Sequence, residues 1–100
     1  MELSLLYYFK TVAEQENITK AAELLYISQP ALSKAIAKLE KSLDVTLFER
    51  RKGRISLSAM GRVYYEYVSS AFEVLESGEK KLEEMKQTSG GTVSIASPVA

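Results

Sequence analysis

The sequence predicts a mainly helical fold: three short helices, a small two-stranded hairpin and one long helix. Three observations predict it. Apolar residues recur at helical spacing up to Leu43, broken twice by short corners. Two β-prone runs then flank a cationic turn, Arg51-Lys52-Gly53-Arg54. From Ser58 onward the chain reads as a single amphipathic helix that meets a Thr-Ser-Gly-Gly break.

The elements follow in order. Leu3, Leu5, Leu6, Phe9, Val12 and Ala13 repeat as one face of a first helix over roughly residues 2–15. The polar run 14–17 ends it, and Asn17 is placed to cap a second helix over about 18–25, with Ala21, Ala22, Leu24 and Leu25 as its apolar content. Tyr26 and Ile27 form a corner. Ser28 is placed to cap a third helix, and Pro30 falls in its first turn, where a missing N–H is harmless. The buried stripe of that helix is Leu32, Ile36, Leu39 and Leu43. A turn of 100° per residue puts Pro30, Ser33, Lys34, Ala37 and Lys41 on the opposite side, with Gln29 at the leading end. Asp44 is expected to end the helix in the left-handed conformation. Val45–Arg50 and Ile55–Leu57 are the two runs of the hairpin.

Ser58 is expected to cap the long helix, which at the usual rise would span roughly 45 Å. Along it Tyr64, Val68, Ala71, Leu75, Gly78, Leu82 and Met85 are spaced alternately four and three apart, a heptad seam that needs a partner. Val63, Tyr67, Phe72 and Val74 widen the apolar surface, and part of it is expected to pack on the preceding domain. Gly78 weakens a helix by about 1 kcal/mol relative to alanine; it suits either a close approach of two backbones or a bend. Residues 92–98 alternate like a strand. The domains expected are 1–57 for the head, 58–88 for the long helix and 89–100 for the start of a further domain.

Composition excludes several chemistries. The 100 residues include no cysteine and no histidine, so disulfides, thiolate or imidazole metal sites and Ser-His-Asp triads are ruled out within this sequence. No carboxylate pair suggests acid-base work and no glycine loop is built to cradle phosphate, so neither an enzyme, a cofactor nor a metal is expected. No apolar run approaches a membrane span and no signal-peptide layout is present, so no membrane partner and a cytoplasmic location are expected.

Net charge is zero, but its distribution is uneven. Residues 28–57 hold seven cations and three anions, whereas 58–87 hold four cations and six anions. A basic segment lies beside an acidic helix, as expected where one part meets phosphate and another does not. Two helices meeting at a tight corner need a small residue where their backbones approach, and Ala22 supplies it. Gln29 has an amide suited to bidentate contact with adenine, and Ser33 a hydroxyl that serves a base edge or a phosphate. The same two residues would also suit a solvated helix start. Lys34, Lys38 and Lys41 line the outer face, and Arg50, Arg51, Lys52 and Arg54 surround the turn, where arginine reaches phosphate or a narrow minor groove. The tyrosines are not interleaved with these cations, so core or interface roles suit them better than base stacking.

Together these residues resemble the N-terminal domain of LysR-type transcriptional regulators. The resemblance lies in Leu5–Phe9, Val12–Glu14, Thr19–Leu25, Ile27–Ile36, Leu39-Glu40, Leu47–Arg50 and Leu57–Gly61, and it spans nearly the whole chain. The Ser-Gln-Pro-Ala-Leu-Ser segment followed by Leu-Phe-Glu-Arg is its most specific part. Lys34, where arginine is common, Asp44, Ile18 and Met60 depart from the pattern. The resemblance implies a winged helix-turn-helix, a linker helix that mediates dimerisation, and an effector-binding C-terminal domain of which this chain holds only the first strand. It also implies that full-length members often form tetramers and respond to a small molecule through that missing domain. On this reading the partners are double-stranded DNA and a second copy of the chain. The DNA-contacting candidates are Thr19, Ser28, Gln29, Pro30, Ser33, Lys34, Lys38, Arg50, Arg51 and Arg54, and the heptad seam from Tyr64 to Met85 carries dimerisation. The alternative is a dimerising module whose head binds protein.

Overall fold

The computed structural model describes residues 2–90 and contains, in order, α1 (Leu3–Gln15), α2 (Ile18–Leu25), α3 (Gln29–Leu43), β1 (Phe48–Arg51), β2 (Arg54–Leu57) and α4 (Ala59–Gly90). The expected strand at 92–98 lies outside the described residues. The chain clusters into two units, the first ending at Ser69 and the second beginning at Ser70 within α4.

The helix starts are those the polar residues dictate. The Asn17 side chain accepts the Lys20 amide at 2.9 Å, and Ser28 Oγ accepts the Ala31 amide at 3.2 Å, each meeting a donor the helix itself leaves unpaired. The helix ends share one device. Glu16, Tyr26 and Asp44 adopt left-handed backbone at φ of 51°, 59° and 57°, which turns the chain sharply after α1, α2 and α3. Asp44 matches expectation. Glu16 and Tyr26 use the same conformation without the glycine or asparagine that usually signals it.

In the first unit the core gathers around Phe9. Its ring lies 5.4 Å from that of Phe48 and 5.5 Å from that of Tyr64, both tilted, an arrangement aromatic quadrupoles favour. Leu5 and Val12 of α1, Ala21 and Ala22 of α2, Leu32, Ile36 and Leu39 of α3, and Leu47, Ile55 and Val68 complete it. The predicted stripe of α3 is therefore the buried one, with Leu43 half-buried at its end.

The hairpin is shorter than the β-prone run suggests. Strand β1 begins at Phe48 rather than Val45, and Arg51 and Arg54 pair with each other as its last rungs instead of forming the turn. The backbone of 45–47 is engaged elsewhere. The Val45 amide donates to the Glu40 carbonyl, the Leu47 amide to Glu40 Oε2, and the Thr46 and Leu47 carbonyls accept from the Ser58 hydroxyl and amide. Lys52 and Gly53 alone make the turn, both at positive φ as a two-residue hairpin turn of the primed type requires.

Ser58 starts α4: its hydroxyl accepts the Gly61 amide at 3.0 Å while donating to Thr46. Gly61 is required by close approach, since a Cβ there would run into the Leu47 carbonyl. Near the other end, α4 continues through Thr88 and Ser89 to Gly90, two residues past the expected boundary. The Thr88 hydroxyl donates back to the Glu84 carbonyl at 3.0 Å, and residues of modest helix propensity cost at most about 1 kcal/mol each, too little to stop an established helix. The helix is also unbroken at Gly78, so that glycine does not interrupt it.

Candidate nucleic-acid interface

The corner between α2 and α3 is built by small residues. Ala21 and Ala22 are buried, and the Ala22 carbonyl accepts the Ile27 amide at 3.1 Å, closing the turn that brings α3 across α2. Burial of Leu32, Ile36 and Leu39 fixes the rotation of α3 about its axis. Its other side then presents Gln29, Pro30, Lys34, Ala37, Lys38 and Lys41 exposed and Ser33 half-buried. The positive end of the helix dipole adds to the attraction of this leading edge for anions. Thr19 and Ser28 are exposed as well, although the Ser28 hydroxyl is engaged as the α3 cap. Tyr26, at the corner itself, is 94% exposed, so it plays no core role in this chain.

The hairpin carries the second basic group. Arg50, Arg51, Lys52 and Arg54 are all exposed, while Phe48 and Ile55 anchor the strands in the core. Arg51 and Arg54 stand directly opposite each other across the ladder. Arg51 lies 4.0 Å from Glu49, and Arg54 lies 3.6 Å from Glu16 at the end of α1.

One residue that orients the two groups was not expected to do so. Half-buried Glu40 of α3 accepts the Leu47 amide at 2.7 Å and the Phe48 amide at 3.2 Å through the same carboxylate oxygen. It thereby ties the base of the hairpin to the helix that carries Lys34 and Lys38. The sequence signals were Glu40 within the Leu39-Glu40 segment of the family resemblance and its place shortly ahead of a β-prone run.

A second network joins α1 to α4 inside the first unit. The Tyr65 hydroxyl donates to Glu14 at 2.7 Å, and Lys10 pairs with the same carboxylate at 2.9 Å. Partial burial pushes the Glu14 carboxyl up, but the hydrogen bonds from Lys10 and Tyr65 and the Lys10 charge outweigh it and hold its pKa below the ordinary value. The hydrogen bond to Glu14 correspondingly raises Lys10 against its own partial burial. Burial raises the Tyr64 phenol, and burial followed by the Glu14 hydrogen bond raises Tyr65.

The expected heptad seam divides. Tyr64 is half-buried against Phe9 and Val68 is buried, so these two positions serve the core of the first unit. In the second unit Ala71, Leu75, Gly78, Leu82 and Met85 are exposed, and Val74 beside them is exposed too. Met60, Val63 and Tyr67 line an open, largely apolar groove of about 630 Å³ with Leu43, Val45 and Leu47. Among the described residues there is no group of acidic residues able to hold a metal, and no helix is long and apolar enough to cross a membrane.

A capped helix set across a tight corner, with a basic outer face and a cationic hairpin beside it in sequence, defines a winged helix-turn-helix of the DNA-binding class. The chain belongs to the lysR family of bacterial regulatory helix-turn-helix proteins, whose profile matches residues 3–62. A probable RuBisCO transcriptional regulator of Phaeodactylum tricornutum is 40% identical over 93 residues, which is 93% of this chain and 30% of that protein. The transcriptional dual regulator GltC of Bacillus subtilis is 38% identical over 100 residues, covering all of this chain and 33% of GltC. The crystal structure of a CbnR DBD–DNA complex is similar with a TM-score of 0.76 and 33% identity, over 85% of this chain and 98% of that one. The chain spans about a third of the length of the curated relatives it matches.

Proposed function

We propose that this chain binds double-stranded DNA sequence-specifically as a dimer, at a two-fold-related promoter site, in the cytoplasm. The observation that carries the reading is the division of α3. One side buries Leu32, Ile36 and Leu39, and the other offers Gln29, Pro30 and Lys34 exposed and Ser33 half-buried at its leading edge. A helix so divided enters the major groove with its first turns at the base edges. Arg50, Arg51 and Arg54 supply phosphate contacts, and Lys38 extends the basic face. Similarity to the CbnR DBD seen with DNA supports the reading. Dimerisation through α4 is supported by the exposed Leu75, Leu82 and Val74, an apolar row that a second helix would cover. The domains proposed are residues 1–57 as the head, with Tyr64 and Val68 of α4 packed into its core, the rest of α4 to Gly90 as the linker, and the residues after it as the start of an effector-binding domain. A small-molecule effector acts only through that domain.

The test is salt-dependent binding to duplex DNA by the wild type and by Arg51→Ala/Arg54→Ala. The double variant is expected to bind all sequences more weakly to a similar extent, with a salt slope shallower by roughly one unit per lost contact. A loss confined to one base position would contradict a phosphate role for the hairpin.

A further inference from the structure

Glu16 is a residue that both local conformation and helix electrostatics disfavour. It holds a left-handed backbone at φ 51°, where a non-glycine side chain is strained, and it places an anion at the negative end of α1. It forms an ion pair with Arg54, 3.6 Å away. That arginine stands directly across the hairpin from Arg51, and opposed like charges on neighbouring strands repel. Arg51 in turn has Glu49 at 4.0 Å. Both opposed arginines therefore carry a carboxylate in place of the anion they would meet on a nucleic acid.

We propose that Glu16 is an intramolecular competitor for phosphate: it occupies Arg54 in the unbound protein and must be displaced when the hairpin docks on a DNA backbone. The inference rests on the DNA-binding reading above. The pair is well exposed, with 78% of the arginine and 50% of the glutamate side chain accessible, so it contributes little to folding. Its effect falls on binding instead. A phosphate must exchange with the carboxylate, which is then left beside the backbone. Because phosphate contacts are blind to sequence, the attenuation applies equally to specific and random sites. It lowers occupancy of bulk DNA without altering which bases are read. Glu49 stands in the same relation to Arg51, at the longer distance.

The test is a cycle of wild type, Glu16→Gln, Arg54→Ala and the double variant, each titrated against a random-sequence duplex and a selected site at low salt. Glutamine keeps the size of the side chain and removes the charge, so folding is preserved. Glu16→Gln is expected to tighten binding about two- to fivefold on both duplexes. In the Arg54→Ala background the same change is expected to gain clearly less, only what removing an anion beside the phosphates gives. An equal gain in both backgrounds would mean that Glu16 merely repels DNA and would overturn the inference. So would the absence of any gain in a wild-type background that binds. If the wild type itself binds neither duplex, the DNA-binding reading fails, and the inference with it.

Discussion

Removing the Glu40 carboxylate should loosen the hairpin from α3. In the structure one oxygen of Glu40 holds the Leu47 and Phe48 amides at 2.7 and 3.2 Å, next to two side chains that are 1% and 5% exposed. Hydrogen bonds to an ionised acceptor contribute about 1.5–3 kcal/mol each, and a buried donor left unsatisfied costs about 1–3 kcal/mol. Glu40 is half-buried, so water reaches part of the site and the lower end applies. Glu40→Ala should therefore destabilise the fold by about 2–3 kcal/mol, while Glu40→Gln, which keeps a neutral acceptor, should cost about 1 kcal/mol. At roughly 4–8 °C per kcal/mol for a domain of this size, the alanine variant should lose on the order of 10 °C in Tm. Urea or thermal unfolding followed by circular dichroism at one fixed protein concentration measures it, the fixed concentration removing any contribution from association. A change below about 0.5 kcal/mol for Glu40→Ala, the range of an ordinary surface substitution, would refute the claim that this carboxylate anchors the hairpin.

Two further outcomes are expected. Replacing Leu75 and Leu82 with glutamate should yield a monomer by analytical sedimentation, since both are exposed on the expected seam; an unchanged mass would show that the seam lies elsewhere. The Glu14 pKa is lower in the folded chain than in the unfolded one, so its contribution to stability is present above the unfolded carboxyl's pKa of about 4.3 and is lost as pH falls through the lower folded value. The stability difference between wild type and Glu14→Gln, below about 1 kcal/mol at neutral pH because the pair is partly exposed, should thus vanish in acid. A difference that persists below that window would mean that packing, not charge, is responsible.

What was legible in the sequence is what local rules encode. The buried stripe Leu32, Ile36 and Leu39, the caps at Asn17 and Ser28 and the left-handed Asp44 follow from periodicity and capping chemistry within a few residues. The same periodicity placed Pro30, Lys34, Ala37 and Lys41 on the side of α3 that is exposed. The rest depends on contacts between distant segments. Val45–Leu47 read as strand because β propensity does not register that Glu40 and Ser58 engage their backbone groups. Tyr64 and Val68 read as dimer seam because a heptad pattern does not distinguish a second helix from Phe9 of the same chain. Glu16 read as part of a polar helix end, and only the fold brings it to Arg54. The left-handed Tyr26 was hidden because the usual glycine signal is missing there.

Base reading by α3 is the central claim, and Gln29 tests it most directly. Its amide is exposed at the first position of α3, beside Pro30, whose ring offers apolar contact to a thymine methyl. Selection of bound sequences from random duplex DNA, run in parallel on the wild type and Gln29→Ala, is the measurement. The account predicts a two-fold-related motif for the wild type, relaxed at one or two base pairs per half-site in the variant. It predicts a loss of about 1–3 kcal/mol at the preferred site and almost no change on random DNA, because no charge is removed. Identical motifs from the two proteins would contradict it and would require a different face of α3 in the groove.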